Sequence, residues 1–290
     1  MKKSVRFVMG LLVPAFMLAG MMRVMLGTVL FALMAAAAFP QSAALPDEQI
    51  WSGFEQWVAA LKPLPPGQSV PIQKRYVESQ VAAGVPSEEA ARRYDRVNTI
   101  RWDSTDRMRT YWDGAFKSGA GPSNPLRLLQ ETITGMKPGK ALDSGMGSGR
   151  NAIYLASIGW DVTGYDMSKE ALRAAQESAA AAGVKLTTKE AKHDTFDFGE
   201  DQWDLIVCSY NALNPHDKQW PPVFLRALRR GGIAVFQGTG AGQPPSLPRL
   251  LDNWKGFHVL RIEDVDAGVI TDEWRPSLRR RTVRLVIRKE

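Results

Sequence analysis

The strongest constraint on the fold is a glycine-rich turn in the middle of the 290-residue chain. The run KALDSGMGSGRNAIYLA begins at Lys140 with a short apolar stretch, continues through three alternating glycines, and ends in an Ala/Leu-rich segment with helical spacing. A strand, a bare turn and a helix in this order begin a parallel α/β unit. Glycine lets the backbone of the turn pass close to a ligand, because no Cβ stands in the way. The sequence therefore predicts a ligand site where the first strand ends.

Strands and helices continue to alternate after this turn, as in a parallel sheet with helices on both faces. Two later segments, 258–262 and 282–288, are predicted to close the sheet as an antiparallel pair, and the second alternates charged with apolar residues. The pattern predicts an α/β fold: a doubly wound, mostly parallel, seven-stranded Rossmann-like sheet with a last antiparallel strand. The other strands are expected at 140–143, 160–165, 184–188, 203–209 and 232–237, and helices at 150–158, 168–182 and 222–229.

Residues 1–44 form an apolar segment of a different character. The segment starts with basic residues, is interrupted by Arg23, and ends in small residues around Ala43. Each apolar half is shorter than the roughly 20 residues that span a bilayer, and the composition is typical of a secretory signal. The segment is therefore predicted to be a signal peptide or a membrane anchor that exports the protein or attaches it to a membrane. The alternative is a translation start further along the chain and a cytoplasmic protein.

Residues 45–124 are predicted to form a helical extension. The stretch DEQIWSGFEQWVAAL has apolar residues at helical spacing, and KPLPPGQSVP interrupts it with four prolines. We expect this extension to pack on the domain at 125–290 and to cover part of it.

The spacing of the glycines discriminates between kinds of ligand. A P-loop requires Lys-Ser/Thr after its last glycine, whereas Arg150 follows Gly149 here. A dinucleotide site spaces its glycines as G-x-G-x-x-G, whereas Gly145, Gly147 and Gly149 give G-x-G-x-G. Asp143 precedes the first glycine by two residues. Neither a phosphate cradle nor a dinucleotide site fits this pattern.

The run ALDSGMGSGRNAIYLASIGWDVTGYDMS resembles motif I of the class I S-adenosylmethionine-dependent methyltransferases. Its Gly-Arg-Asn-Ala extension is most similar to the small-molecule branch with tellurite-resistance-type and thiopurine-type enzymes. The resemblance covers roughly residues 124–289 and is strongest over 141–172. It implies S-adenosyl-L-methionine as the cofactor and a small molecule as the methyl acceptor.

The resemblance also implies roles for the residues at the strand ends. Gly145 and Gly147 are expected to pass against the cofactor, and Gly149 to allow close approach of helix to strand. Asp143 is expected to accept a hydrogen bond from the amino group of the cofactor, and Asp166 to bind both ribose hydroxyls.

Three further residues are implied at the adenine. Met167 is expected to lie against the ring. Asp194, in the sequence KHDTF, is expected to accept from the adenine amine, with Thr195 beside it.

The methyl acceptor is expected at the segment after the fourth strand, CSYNALNPHDKQWPP, because ligands of α/β sheets lie beyond the carboxyl ends of the strands. Tyr210, Asn214 and His216 are the predicted acceptor-facing residues. His216 is the candidate base, which is needed only if the acceptor arrives protonated.

Two alternatives remain at this point. Basic residues crowd the last sixteen positions, which is compatible with a methyltransferase that acts on nucleic acid or protein. However, the Asn-Pro-His-Asp sequence that begins at Asn214 lacks the aromatic residue of the Asn-Pro-Pro-Tyr element in DNA-methylating enzymes, which argues against nucleic acid as a partner. The second alternative is a module that binds the cofactor or a partner without turnover.

No metal site is predicted. The three histidines have no metal-ligand spacing, and the isolated His193 and His258 are assigned no role. Cys208, the single cysteine, is predicted to be a small buried apolar side chain.

Overall fold

The computed structural model describes residues 45–211, 213, 215, 217–239, 251–266 and 281–290. The apolar segment 1–44 lies outside these residues, as do Asn214 and His216, so the predictions for them stay predictions. Within the described ranges, no helix is both long and apolar enough to cross a membrane.

The centre of the structure is a sheet whose strands run in the order β3-β2-β1-β4-β5-β7-β6. β1 to β5 are parallel, and β7 is antiparallel to both of its neighbours, β5 and β6. This confirms the predicted α/β fold with a mostly parallel sheet. The strands are β1 Lys140–Ser144, β2 Asp161–Asp166, β3 Thr187–Glu190, β4 Trp203–Ser209, β5 Leu228–Thr239, β6 Phe257–Asp266 and β7 Arg281–Lys289.

Both faces of the central strands are buried, which explains their nearly continuous apolar sequences. On β4, Leu205 and Val207 pack in one hydrophobic cluster, and Ile206 and Cys208 pack in the cluster on the opposite face. Cys208 is buried, as expected. Helices cover the two faces: α5 Arg127–Ile133, α6 Arg150–Ser157, α7 Lys169–Ala181 and α8 Trp220–Ala227.

α7 shows how the sequence encodes a close helix–sheet contact. Ser168 caps the helix, because its hydroxyl accepts a hydrogen bond from the backbone N–H of Ala171 at 3.1 Å. The buried face consists of Ala171, Ala175 and Ala179, one turn apart. These small side chains bring α7 against the glycine turn: a Cβ added to Gly149 would lie 3.0 Å from the Cβ of Ala175.

A helical extension precedes the sheet, and Asp47–Glu290 forms one compact unit. The extension contains α1 Asp47–Ala60, α2 Ile72–Ala82, α3 Ser87–Ile100, a 3-10 turn at Arg101–Asp103, and α4 Thr105–Lys117. Its core combines aromatic and aliphatic residues, and the hydroxyls of Tyr94 and Tyr111 are hydrogen-bonded at 3.2 Å. Gly114 lets α4 pack closely, because a Cβ there would lie only 2.8 Å from Ile72.

Candidate active site

A cavity opens where β1, β2 and β4 end. It encloses about 1150 Å³ of empty space, open solvent at its mouth included. The glycine turn, the residues after β2, β3 and β4, and the helical extension all contribute to its walls. The position agrees with the rule that ligands of parallel sheets bind beyond the carboxyl ends of the strands.

The glycine turn requires glycine at three positions. Gly145, Gly147 and Gly149 have φ angles of +59°, +55° and +84°, in the left-handed region that other residues rarely adopt. A Cβ on Gly145 would lie 3.0 Å from Asn211, and one on Gly147 would lie 3.1 Å from the ring of Phe116. The bare backbone of the first two glycines therefore forms part of the cavity wall.

Asp143 lies at the end of β1, buried beneath the turn. Its carboxylate accepts a hydrogen bond from the backbone N–H of Ala152 at 3.1 Å, in the first turn of α6. The first N–H groups of a helix have no partner within the helix. Gly149, the N-cap of α6, has no side chain that could accept from them, and Asp143 takes this role for Ala152. Burial raises the pKa of Asp143 to about 7, although the nearby charge of Arg150 opposes the rise.

Asp166 ends β2 and connects it to the glycine turn. One carboxylate oxygen accepts from the backbone N–H of Gly147, and the other accepts from the N–H of Ser168, both at 2.9 Å. Burial raises the pKa of Asp166, and these hydrogen bonds oppose the rise. The backbone N–H of Met167 also contributes a hydrogen bond. A carboxylate has about four acceptor positions in all, so it keeps capacity to accept from a ligand hydroxyl. Met167 follows and lines the cavity.

Residues 141–232 match the family model of a methyltransferase domain. The chain contains a class I S-adenosylmethionine-dependent methyltransferase domain. The matched residues include the glycine turn and the ends of β1, β2 and β4, which line the cavity. The more specific resemblance to the tellurite-resistance-type and thiopurine-type branch stays a prediction.

Curated relatives share the methyltransferase region only in part. An uncharacterized protein of Mycobacterium tuberculosis is 33% identical over 121 residues, which cover 41% of this chain and 44% of the relative. A ubiquinone biosynthesis O-methyltransferase of Shewanella pealeana is 36% identical over 107 residues, with 34% and 44% covered. The chain spans about half the length of the curated relatives that it matches.

Solved structures are similar to this chain at low sequence identity. A structure reported for the conversion of a disulfide bond into a thioacetal group during echinomycin biosynthesis has a TM-score of 0.49 and 20% identity. It covers 64% of this chain and 91% of the other.

The cofactor of such a domain is S-adenosylmethionine, and the residues of the methyltransferase domain fit it. The turn presents bare backbone at Gly145 and Gly147, where a Cβ would fill the cradle. Two buried carboxylates, Asp143 and Asp166, line the same cavity and are suited to amino and hydroxyl groups. The structure thus brings Asp143, Gly145, Gly147, Asp166 and Met167 to one cavity. Gly149, which was also predicted to bind the cofactor, does not line this cavity and packs against Ala175 of α7.

The segment after β3 contributes residues to the cavity that were not predicted from the sequence. Ala191, Lys192 and His193 line the cavity. Asp194 and Thr195 are exposed and do not line it; the Asp194 carboxylate lies 3.7 Å from the Lys192 ammonium group. The geometry gives no support to their predicted contacts with adenine, which stay predictions. The only sequence signal for Lys192 and His193 was their position directly before Asp194 in the same irregular loop.

Tyr210 lines the cavity directly after β4. It has a φ of +52°, a left-handed angle that is rare for an aromatic residue. Its hydroxyl accepts a hydrogen bond from the side-chain amide of Gln237 at 3.0 Å, and Arg284 donates to the oxygen of the same amide at 2.9 Å. Strained backbone of this kind concentrates at functional sites. Of the three predicted acceptor-facing residues, Tyr210 is thus placed at the cavity, together with Asn211, which had no predicted role.

The helical extension supplies an apolar wall that the sequence did not reveal. Trp112 and Phe116 lie one turn apart on α4, with ring centroids 6.0 Å apart. The Phe116 ring lies directly beside Gly147, because a Cβ added to this glycine would be 3.1 Å from the ring. We use the term aromatic wall for five cavity residues of the extension: Trp102, Met108, Trp112, Phe116 and Pro122.

Proposed function

We propose that the protein transfers a methyl group from S-adenosylmethionine to a small molecule that has an apolar, planar surface. The observation that carries this proposal is the aromatic wall, which lines the same cavity as the glycine turn. Trp112 and Phe116 offer flat, weakly polar faces, on which aromatic rings stack favourably. None of the five wall residues is charged, which favours an acceptor with few charges on that side.

When bound, S-adenosylmethionine supplies a methyl group on a sulfonium. A lone pair of the acceptor would form the new bond to the methyl carbon, and the electrons of the broken carbon–sulfur bond would stay on sulfur, which would give S-adenosylhomocysteine. The chain itself donates no electrons to this step. Its contribution is to hold the two reactants in line and to exclude water, which together supply several kcal/mol in such reactions.

Different residues serve the two reactants. The glycine turn and Asp166 position the donor, with Phe116 beside Gly147. Tyr210 and the rest of the aromatic wall position the acceptor. The predicted participation of Asn214 and His216 belongs to the acceptor side of this proposal, with His216 as the base for a protonated acceptor.

Two ion pairs support a small molecule over a nucleic acid. Arg284 bonds Gln237 and Glu263, and Lys289 bonds Asp201 and the backbone of Leu228. These two basic side chains of β7 are thus engaged within the fold, which leaves them less available for phosphate groups.

The test uses the full chain, methyl-labelled S-adenosylmethionine and three acceptor pools: a metabolite extract, total RNA with DNA, and a protein extract. We expect label in compounds of low mass that contain an aromatic or extended apolar group, identified by mass spectrometry. A Gly147→Val variant is the control for enzyme-dependent labelling. Label confined to nucleic acid or protein would overturn the small-molecule acceptor. Tight binding of the cofactor without labelling in any pool would favour a non-catalytic module.

A further inference from the structure

Four polar side chains from different strand ends form a hydrogen-bonded chain beneath the cavity. The amide nitrogen of Asn211 lies 3.3 Å from the Ser144 hydroxyl. The Ser144 hydroxyl lies 2.7 Å from the hydroxyl of Tyr165, which lies 2.8 Å from Nδ1 of His193. Ser144 and Tyr165 are fully buried, and His193 is half-buried at the cavity. The resemblance to methyltransferases assigns no role to any of the four.

The orientation of the Asn211 amide sets the direction of this chain. Its oxygen accepts from the backbone N–H of Leu213 at 3.0 Å, and its nitrogen donates to the backbone carbonyl of Ser144 at 2.6 Å. Both contacts fix the nitrogen on the side of Ser144, where it can only donate. The Ser144 hydroxyl therefore accepts from Asn211 and donates to Tyr165.

The same reasoning continues to the histidine. Because the Tyr165 oxygen accepts from Ser144, its own hydrogen is free to point at Nδ1 of His193. The buried Cys208 thiol also contacts Ser144, but it is a weak donor and acceptor and does not reverse this order. An accepting Nδ1 leaves the ring hydrogen on Nε2.

We propose that His193 is held as the neutral Nε2–H tautomer and donates this hydrogen to a lone pair of the bound cofactor. The imidazole lies at the cofactor cradle, since its Cε1 would be 3.2 Å from a Cβ on Gly145. Edge contacts with Tyr165 and Trp220, at centroid distances of 5.5 and 6.5 Å, fix the plane of the ring. Within the part of the chain that the structure describes, no group accepts a hydrogen bond from Nε2.

Burial supports the neutral state. It lowers the pKa of His193 to about 4, although the charge of Asp194 opposes this. The ring is thus uncharged at neutral pH and carries a single hydrogen. A fixed N–H donor at His193 favours a ligand atom with a lone pair, which can accept the hydrogen bond, over a ligand atom that is itself a donor.

The first test observes the tautomer directly, without activity. In the free, ¹⁵N-labelled full chain at pH 7, long-range ¹H–¹⁵N correlation spectra should show the His193 hydrogen on Nε2. Tyr165→Phe, which removes the hydroxyl and keeps the ring, should redistribute the hydrogen between the two nitrogens, whereas Tyr154→Phe on α6 should not. A hydrogen on Nδ1 or a doubly protonated ring in the wild type would overturn the inference.

The second test measures the affinity for S-adenosylhomocysteine by calorimetry. His193→Gln places an amide donor at the distance of Nε2, and His193→Asn places one at the distance of Nδ1. We expect the Asn variant to lose about 2- to 12-fold in affinity, the worth of one neutral hydrogen bond, and the Gln variant to recover most of the loss. The exposed His258 provides the control, His258→Asn.

Equal losses in the Gln and Asn variants, or no loss in the Asn variant, would overturn the proposed contact. The proposed contact of His193 rests on the proposed function, because both require the same cofactor, but different results would contradict each of them. If the wild type binds no S-adenosylhomocysteine, the proposed function and the contact are both wrong. If the wild type binds and only the variant series disagrees, the contact alone is wrong.

Discussion

The carboxylate of Asp113 accepts a 2.6 Å hydrogen bond from the hydroxyl of Ser168. Asp113 lies on α4 of the helical extension, next to Trp112, and Ser168 is the N-cap of α7, two residues after Asp166. The same carboxylate also accepts from the backbone N–H of Glu170 at 3.3 Å. One side chain thus joins the aromatic wall to the cofactor end of the sheet.

The first prediction concerns this link. Asp113→Ala should lower the free energy of unfolding by about 1–3 kcal/mol, because it removes charge-assisted hydrogen bonds and leaves the Ser168 hydroxyl without its acceptor. A double-mutant cycle with Ser168→Ala, measured by urea unfolding, should give a coupling energy of about 0.5–3 kcal/mol. The control is Asp106→Ala on the exposed side of α4, which should cost much less. A coupling energy of zero would show that the two residues do not act together.

The second prediction concerns the glycine turn. Gly147→Ala should weaken the binding of S-adenosylhomocysteine about tenfold or more, because the new Cβ would lie 3.1 Å from Phe116 in the cofactor cradle. Gly183→Ala is a matched control: its φ is +68°, and nothing lies within 4 Å of an added Cβ. Both variants carry the strain of a left-handed alanine, about 1–2 kcal/mol. Calorimetry on folded protein should find that Gly183→Ala keeps its affinity; similar losses in both would point to strain alone.

The third prediction concerns Tyr210. Tyr210→Phe keeps the ring and removes the hydrogen bond from Gln237, so turnover should fall about 2- to 12-fold while the affinity for S-adenosylhomocysteine stays unchanged. Such a pattern identifies a residue that acts on the acceptor and not on the donor. Turnover is measured with the acceptor found by the labelling experiment, and Tyr154→Phe serves as the control. A drop in cofactor affinity with unchanged turnover would move Tyr210 to the donor side.

The fourth prediction concerns the pH dependence of stability. The pKa of Asp143 is about 7 in the folded protein and 3.8 in an unperturbed chain. The folded state therefore binds the proton more tightly, and this contribution to stability is complete below about pH 4 and is lost as the pH rises through 7. Asp143→Asn keeps an oxygen that can accept from Ala152 and has no charge to bury.

Urea unfolding at several pH values tests this prediction. The stability of Asp143→Asn relative to the wild type should increase between pH 4 and pH 8, by at most ~4 kcal/mol. Asp161→Asn, at the exposed start of β2, should show no such trend. A pH-independent difference between wild type and Asp143→Asn would mean that the Asp143 carboxyl is not shifted upward.

The sequence by itself determined the sheet and the cofactor end of the cavity. Gly145 and Gly147 have left-handed backbone angles. Glycine adopts such angles readily, so a glycine-rich turn can be predicted from the local sequence. Asp143 and Asp166 each stand at the end of an apolar strand, and parallel strands bring their carboxyl ends to one edge of the sheet. Periodicity and glycine spacing are local signals, so the order of elements and the residues at the strand ends could be predicted.

Only the tertiary structure decided which residues outside these strand ends reach the cavity. The loop after β3 has no periodicity, so its sequence could not show that His193 faces inward while Asp194 faces solvent. Trp112 and Phe116 belong to a helix whose apolar spacing is equally compatible with a buried core. Their position at the cavity depends on the packing of α4 against α7 and on the Asp113–Ser168 hydrogen bond. These contacts join residues more than thirty positions apart, and such long-range packing leaves no local pattern in the sequence.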